Sequence, residues 1–453
     1  MLSTRDIAVR AGPMRWNDLP PEVQHSVRLC FADGIAVMLG AVRLEPAVLP
    51  FAAHARSHGP GPAHLLAGGT APPVAAALAN GALSHALDFE DTFDAVGLHV
   101  NAAIIPTVLA LAESEGKTLG EALTAMALGA ELACRLGLSL TNDPGARGWY
   151  FPPMIGAIGA ALAGAHLLRL DADQTIAALS LAQVQFSLTD ALKRAPASDL
   201  RAVRDGFAAR AATEAILLAR AGVTGTDDPL FERGGVIPLL TGDAADPAPL
   251  AAFAHDFLTP TLTLKLWPAC RGTHPAIALA LALRDEGLTA TDIKAAAFTV
   301  EPPDDMLFEP RADRIRPQTA IGAKFSIPFT FAHTLIHGAP GLSAFSKTAR
   351  HDADVRALAS RITLRACAEG AGRTAHLTLA SGETDRALAP PPPLTAGSAT
   401  MTDLAAKFRD CIGDRPDALS LLHALDTTDP EKPVSDLVAQ LAYPDPSTKK
   451  DTT

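Results

Sequence analysis

From about residue 18 to residue 250 the chain alternates Ala- and Leu-rich runs with short polar breaks, and the apolar positions recur at helical spacing. Asn17-Asp18-Leu19-Pro20-Pro21-Glu22 sets capping residues and prolines where a helix begins. The positions that follow, Val27, Leu29, Cys30, Ile35 and Val37, suit a buried helix. Further helices are predicted over 74–87, 103–115, 119–136, 154–168, 172–187 and 206–221, each punctuated by Gly, Pro or Asp. Gly156, Gly159 and Gly164, interleaved with alanines, predict closely approaching helix backbones. Near residue 259 the period changes. Thr261-Leu262-Thr263-Leu264-Lys265-Leu266 alternates like a strand, as do 296–300, 362–365 and 375–380, with helical stretches at 275–286 and 326–337 between them. This part reads as α+β with a small sheet. Ala389-Pro390-Pro391-Pro392-Pro393 is a stiff connector, and 400–441 is helical again and is expected to pack back on the first part.

A length of 453 residues exceeds what one core serves, so two domains are expected. The division drawn is a helical domain over 1–258, an α+β domain over 259–394, returning helices over 395–445 and a disordered tail over 446–453. Hydrophobic residues make up 48% but aromatics only 5%, which means a core of Ala and Leu and favours tightly packed helices. Charged residues at 19% are few enough to predict surface buried in an oligomer. The net charge of −11 argues against nucleic acid as a partner, because duplex binding needs a basic footprint. A few local cations can still make a positive pocket. The five cysteines are scattered without a CxxC pair and read as free thiols. The N-terminus carries no apolar signal core and no apolar run reaches bilayer length, so a cytoplasmic protein with no membrane partner is expected.

The densest polar stretch is Ser84-His85-Ala86-Leu87-Asp88-Phe89-Glu90-Asp91-Thr92, followed by His99. If the preceding helix continues, His85, Asp88 and Thr92 share one face at i, i+3 and i+7, with Asp91 on another. So many polar groups beside so much alanine are equally consistent with function and with capping or buried networks. A second group is Lys265-Leu266-Trp267-Pro268-Ala269-Cys270-Arg271-Gly272-Thr273-His274-Pro275, in which Lys265, Arg271 and His274 gather positive charge at a loop, an arrangement suited to carboxylates. Cys270 reads as a small hydrophobe rather than a nucleophile. Lys193-Arg194 with Arg201 and Arg204 reads most simply as a solvated basic helix start, and Tyr150 before a glycine-rich helix as a proton donor or an aromatic cap. There is no phosphate loop, no GxSxG and no zinc spacing. His85, Asp88, Asp91 and His99 remain a minor candidate for a divalent metal, against the main expectation of no metal and no cofactor.

Taken in order, these stretches resemble the MmgE/PrpD family, whose members include 2-methylcitrate dehydratase, cis-aconitate decarboxylase and iminodisuccinate epimerase. The residues that carry the resemblance are Asp18 to Val23, Phe31 to Ala36, His85 to Thr92 with His99 and Pro106, Gly156 to Ala161, Gly206 with Ala208-Ala209, Lys265 to Pro275, Thr319 to Ile321, Phe325 to Pro328, and Lys407-Phe408. The resemblance implies a mostly α protein, with a large helical domain completed by the end of the chain and a smaller α+β lid. It implies an active site between the two, a homodimer, and a small polycarboxylate substrate. It also implies functional positions at Asp88, Thr92, His99, Lys265 and His274; His99, His274 and, by its phenol, Tyr150 are expected as acids or bases, with Lys265 also catalytic and Asp88 orienting or tuning a histidine. Thr92, Arg201, Arg204, Arg271, His85 and Asp91 are expected around the substrate. Four positions depart from the pattern. Arg201 and Arg204 stand where the family often has Lys and His, Tyr150 where many members have His, and Phe329 where the decarboxylases have Tyr. The expected chemistry is proton movement next to a carboxylate, 2-methylcitrate dehydratase-like first, then epimerase-like or decarboxylase-like, with a non-catalytic metabolite-binding homologue as a further alternative.

Overall fold

The computed structural model describes residues 2–185, 189–195, 198–242, 246–300, 304–366, 372–415 and 417–446. Most of the tail expected over 446–453, the end of the 172–187 helix and Cys367 lie outside them. The molecule is mostly helical with a smaller sheet-containing C-terminal part, as expected. The Pro21–Leu44 helix begins on a proline, whose missing N–H costs nothing in a first turn, and is buried along its middle. Leu119–Leu138 and Ala172–Gln183 start on reciprocal capping boxes, Thr118 with Glu121 and Asp171 with Gln174. Asn101–Ser114 and Phe151–Leu167 are apolar almost all round and run through the centre of the helical part, where every face meets another helix.

Small residues set the spacing of these helices. A Cβ on Gly206 would meet the Leu78 carbonyl at 2.6 Å, so the Leu200–Arg220 and Pro73–Ser84 helices touch backbone to backbone. Gly129 and Gly159 face each other in the same way. Gly164 packs against Ile216, but Gly156 has only an ordinary contact with Ala103, so it is not one of the close-approach glycines the pattern suggested.

Four strands form the larger sheet, in the order Ile362–Ala366, Ile293–Val300, Thr374–Leu379, Gly382–Ala387. The first pair is parallel and the others antiparallel. The strand predicted over 261–266 is shorter than its alternation suggested. Only Thr263–Leu264 pairs, with Leu394–Thr395, because 259–261 form a 3-10 turn and Lys265 turns inward. Thr263 also bridges Thr92, which fixes the second half of the chain against the polar stretch of the first. Beyond the proline connector, Met401–Ile412 and Ala418–Thr427 pack on Pro21–Leu44. Among the described residues no single helix is long and apolar enough to cross a membrane.

Candidate active site

The helix leading into the polar stretch stops earlier than its apolar pattern implies. Pro73–Ser84 ends at Ser84, His85 caps it, and Asp88 lies in the left-handed region at φ +48°. His85, Asp88 and Thr92 therefore do not share a helix face. They lie on an irregular buried loop, and burial without helical hydrogen bonds leaves its carbonyls in need of donors. Three lysines from three distant segments supply them. Lys324 donates to the Leu87 carbonyl, Lys265 to that of Asp88 at 2.9 Å, and Lys407 to that of Phe89. Lys407 also pairs with buried Asp33 at 2.5 Å and lies over the Phe89 ring. Burial lowers the Lys324 ammonium to about 8. Lys324 carried no signal in the sequence, and Asp33 and Lys407 were read only as part of the family resemblance.

At the centre Glu90 faces two imidazoles. His85 Nδ1 hydrogen-bonds Glu90 Oε1, and His99 Nδ1 lies 2.6 Å from the same oxygen but out of line for a hydrogen bond. The two rings meet edge to face, 4.4 Å apart. Burial raises the Glu90 carboxyl, but His85, Lys265 and His99 outweigh it and hold the group well below the usual range. Burial, helped by Arg204, pushes His85 down to about 3, so the pair is a carboxylate beside a neutral imidazole. Of the two expected actions of Asp88 on a histidine, tuning and orienting, its charge supplies the first by raising His274, but no hydrogen bond supplies the second. Its Oδ1 takes the Lys265 ammonium at 2.6 Å and is 3.9 Å from His85 Nε2, while Glu90 does the orienting. Lys265 and Asp88 are both wholly buried; burial opposes each charge, and it is outweighed at Asp88 by Lys265 together with His85 and His99, and at Lys265 by Asp88 together with Glu90.

Arg201 and Arg204 are buried, which overturns their reading as a solvated helix start. The guanidinium of Arg204 lies 5.0 Å from the Tyr150 ring centre, and that of Arg201 3.6 Å from the centre of Phe325. Aromatic faces thus replace much of their water. Arg204 Nη1 donates to the Arg201 carbonyl at 2.6 Å, but its Nη2 has no hydrogen-bond partner. Tyr150 is itself buried at the start of the glycine-rich helix.

His274 is fully buried at the start of the His274–Asp285 helix, and burial, then Arg271 and Lys265, bring it down to about 3. Arg271 donates to its Nδ1 at 2.9 Å, so the neutral ring carries its proton on Nε2, 3.2 Å from the Ala269 carbonyl. Arg271 also grips Asp94 in a two-pronged pair at 3.0 and 2.5 Å. Thr92 donates its hydroxyl to Asp94 at 2.8 Å. Thr92 and Arg271 are thus joined to each other through Asp94, which the sequence pattern did not single out. Asp91 points elsewhere. It accepts from Asn101 at 3.1 Å, and burial with the nearby charges of Asp33 and Glu90 raises it to about 8. Cys270 is a thiol, raised by burial to about 12.

A divalent ion could be considered at His85, Asp88, Glu90 and His99, whose ligand atoms lie within 4.8 Å of one another. Asp91, included in that set from sequence, is replaced by Glu90. The fit is poor, because Lys265 already occupies Asp88, and Lys265 and Arg204 both bring positive charge to the same carboxylates.

The chain was also compared with known proteins by sequence. A cis-aconitate decarboxylase of Aspergillus terreus is 28% identical over 289 residues, covering 60% of this chain and 58% of that protein. The cis-aconitate decarboxylase-like protein oryM of Aspergillus oryzae is 30% identical over 222 residues, 45% of each chain. The human cis-aconitate decarboxylase is 29% identical over 210 residues, 45% of this chain and 43% of that one. Each match spans less than two thirds of the relative's own length. The MmgE/PrpD N-terminal domain matches residues 5–247 and the MmgE/PrpD C-terminal domain residues 267–419, in that order, and the chain belongs to the MmgE/PrpD family.

Proposed function

We propose that this protein is a cofactor-independent lyase for a small di- or tricarboxylate. It would move a proton at the carbon next to a carboxylate and release water or carbon dioxide. The observation that supports this best is a set of buried polar atoms without hydrogen-bond partners. Arg201 Nε and Arg204 Nη2 are on one side, and His85 Nε2, Asp88 Oδ2 and Glu90 Oε2 are on the other. Buried groups of this kind are normally satisfied, so an unsatisfied set of both signs suits an anionic, hydrogen-bonding ligand. Arg201 and Arg204 hold substrate carboxylates, and their charge stabilises the electron pair that develops on the adjacent carbon. His99, the least buried of the central imidazoles, serves as the acid or base, with Glu90 behind it. His274 joins when a substrate carboxylate draws Arg271 away and frees Nδ1. The names of the relatives favour cis-aconitate among candidate substrates.

An epimerase is the second reading, and Tyr150 favours it. Its ring lies beside Arg204, where a phenol could return a proton to the opposite face of the same carbon. Proton NMR in heavy water tests both readings, with cis-aconitate, citrate, 2-methylcitrate and iminodisuccinate offered separately, each with and without EDTA. New alkene signals insensitive to EDTA support the lyase. Loss of an α-proton signal with no new alkene supports the epimerase. Turnover abolished by EDTA removes the cofactor-independent mechanism. No change with any substrate removes this substrate class.

A further inference from the structure

The Asp94 carboxylate is held by four donors from three residues. Arg271 Nε and Nη2 reach Oδ1 at 3.0 Å and Oδ2 at 2.5 Å, Thr92 Oγ1 donates to Oδ1 at 2.8 Å, and Thr263 Oγ1 donates to Oδ2 at 3.0 Å. Each oxygen thus takes one guanidinium N–H and one hydroxyl, a full set for a carboxylate. The threonines and their acceptor are placed differently. Thr92 and Thr263 are buried and exchange both backbone hydrogen bonds, at 2.9 and 2.8 Å, which fixes the two residues side by side. Asp94 comes in from the exposed side. It opens the turn over 94–97, closed by the Phe93–Leu98 bridge, and its side chain is 35% exposed. Burial raises its carboxyl, but Arg271 and then the two hydroxyls outweigh burial and keep it ionised in place. An exposed ion pair needs no hydroxyls, and two buried ones aimed at the same two oxygens have the makings of a recognition site.

We propose that Arg271, Thr92 and Thr263 form a carboxylate-binding site that Asp94 fills in the free protein and vacates for a carboxylate of the ligand. An incoming carboxylate offers the same two oxygens to the same four donors. A neutral ligand in its place would leave a guanidinium and two hydroxyls without acceptors, so the site selects acids. Asp94 belongs to the same chain and competes at high effective concentration, which weakens ligand binding by the fraction of the protein that is open. The exchange also reaches His274. Arg271 Nη1 donates to His274 Nδ1 at 2.9 Å, and Asp94 pins the other edge of the guanidinium in that position. Release of Asp94 is therefore the step that lets Arg271 follow the ligand and uncover Nδ1. Thr92 gains in the same way, because its one hydroxyl proton is committed to Asp94 until then. That role in turnover rests on the proposed function; the carboxylate site itself stands on the contacts around Asp94.

The test compares the full-length protein with Asp94→Ala, which empties the site and leaves its donors. Melting in sodium acetate is set against melting in sodium chloride at equal ionic strength. Acetate is expected to raise the Tm of Asp94→Ala saturably, by about 1–3 °C, and to leave the parent no different from chloride. Adding Arg271→Ala or Thr263→Val to Asp94→Ala should remove the effect. Calorimetry with cis-aconitate and citrate should give a Kd at least about tenfold lower in Asp94→Ala than in the parent. Asp94→Asn, of the same shape but uncharged, replaces it in the calorimetry if Asp94→Ala does not fold, and circular dichroism checks each variant. An acetate effect equal in parent and Asp94→Ala, or absent from both, overturns the proposal. So does weaker polycarboxylate binding in Asp94→Ala, or equal binding in the two, and the latter leaves the proposed substrate class standing. Acetate rescue without binding of either polycarboxylate supports the site and removes the substrate class instead.

Discussion

Glu90 holds one negative charge against two imidazoles, and an amide at this position keeps the size while removing the charge. On the proposed mechanism Glu90→Gln is expected to lower kcat by about 10²-fold with little change in KM, because the group would support the acid or base without touching substrate. Steady-state kinetics on whichever substrate the NMR panel identifies checks this, and a rise in KM alone would place Glu90 in substrate binding. Asp91 gives a test that needs no substrate. Its folded pKa of about 8 lies above the ordinary 3.8, so its contribution to stability is fully present below pH 3.8 and is lost as pH rises toward 8. Asp91→Asn should therefore raise Tm more at pH 8 than at pH 5. An equal change at both would mean that the carboxyl is ionised in the folded protein. Asp88, His99, His85, Lys265 and His274 could be found in the sequence, because polar groups stand out against alanine. Their pairings could not. The shared-face argument assumed a helix through residue 92, and the left-handed Asp88 sends its carboxylate to Lys265 instead.

At the level of elements, most helices could be read from their prolines, capping boxes and apolar period, and their starts shifted by three residues at most, but the helix expected from 206 begins at Leu200 and so takes in Arg201 and Arg204. Alternation alone misled at 261–266, because a strand needs a partner and only two of those residues find one. The buried arginines were misread for a related reason. A basic stretch at a helix start is normally solvated, and only the rings of Tyr150 and Phe325, distant in sequence, show that these two are not. The Gly206 contact also lies in this layer. Gly206→Ala would force the Leu200–Arg220 and Pro73–Ser84 helices apart at backbone atoms that cannot turn aside. A cost of about 1–3 kcal/mol is expected. Because Arg204 lies two residues away, KM should rise as well. Thermal melting combined with kinetics checks both effects, and a variant as stable and active as the parent would mean that the helices slide at no cost.

Across the whole molecule, the general architecture followed from composition and from the change of period near residue 259. The meeting of three segments on one loop did not, because nothing local marks which lysine will be buried. That meeting has a kinetic consequence. The donors to the carbonyls of Leu87, Asp88 and Phe89 lie 237, 177 and 318 residues further along the chain. Local helices close early, but contacts across such separations carry the largest loop-closure cost and form late. On dilution from denaturant, far-ultraviolet circular dichroism should recover well before turnover does, and the lag should be set by the return of Met401–Ile412 to the Pro21–Leu44 helix. A nascent chain would thus carry most of its helical content while the buried loop at Leu87, Asp88 and Phe89 still lacked the last of its three donors. The buried polar centre of this protein is therefore completed by the Met401–Ile412 helix rather than by the helices around which it is built.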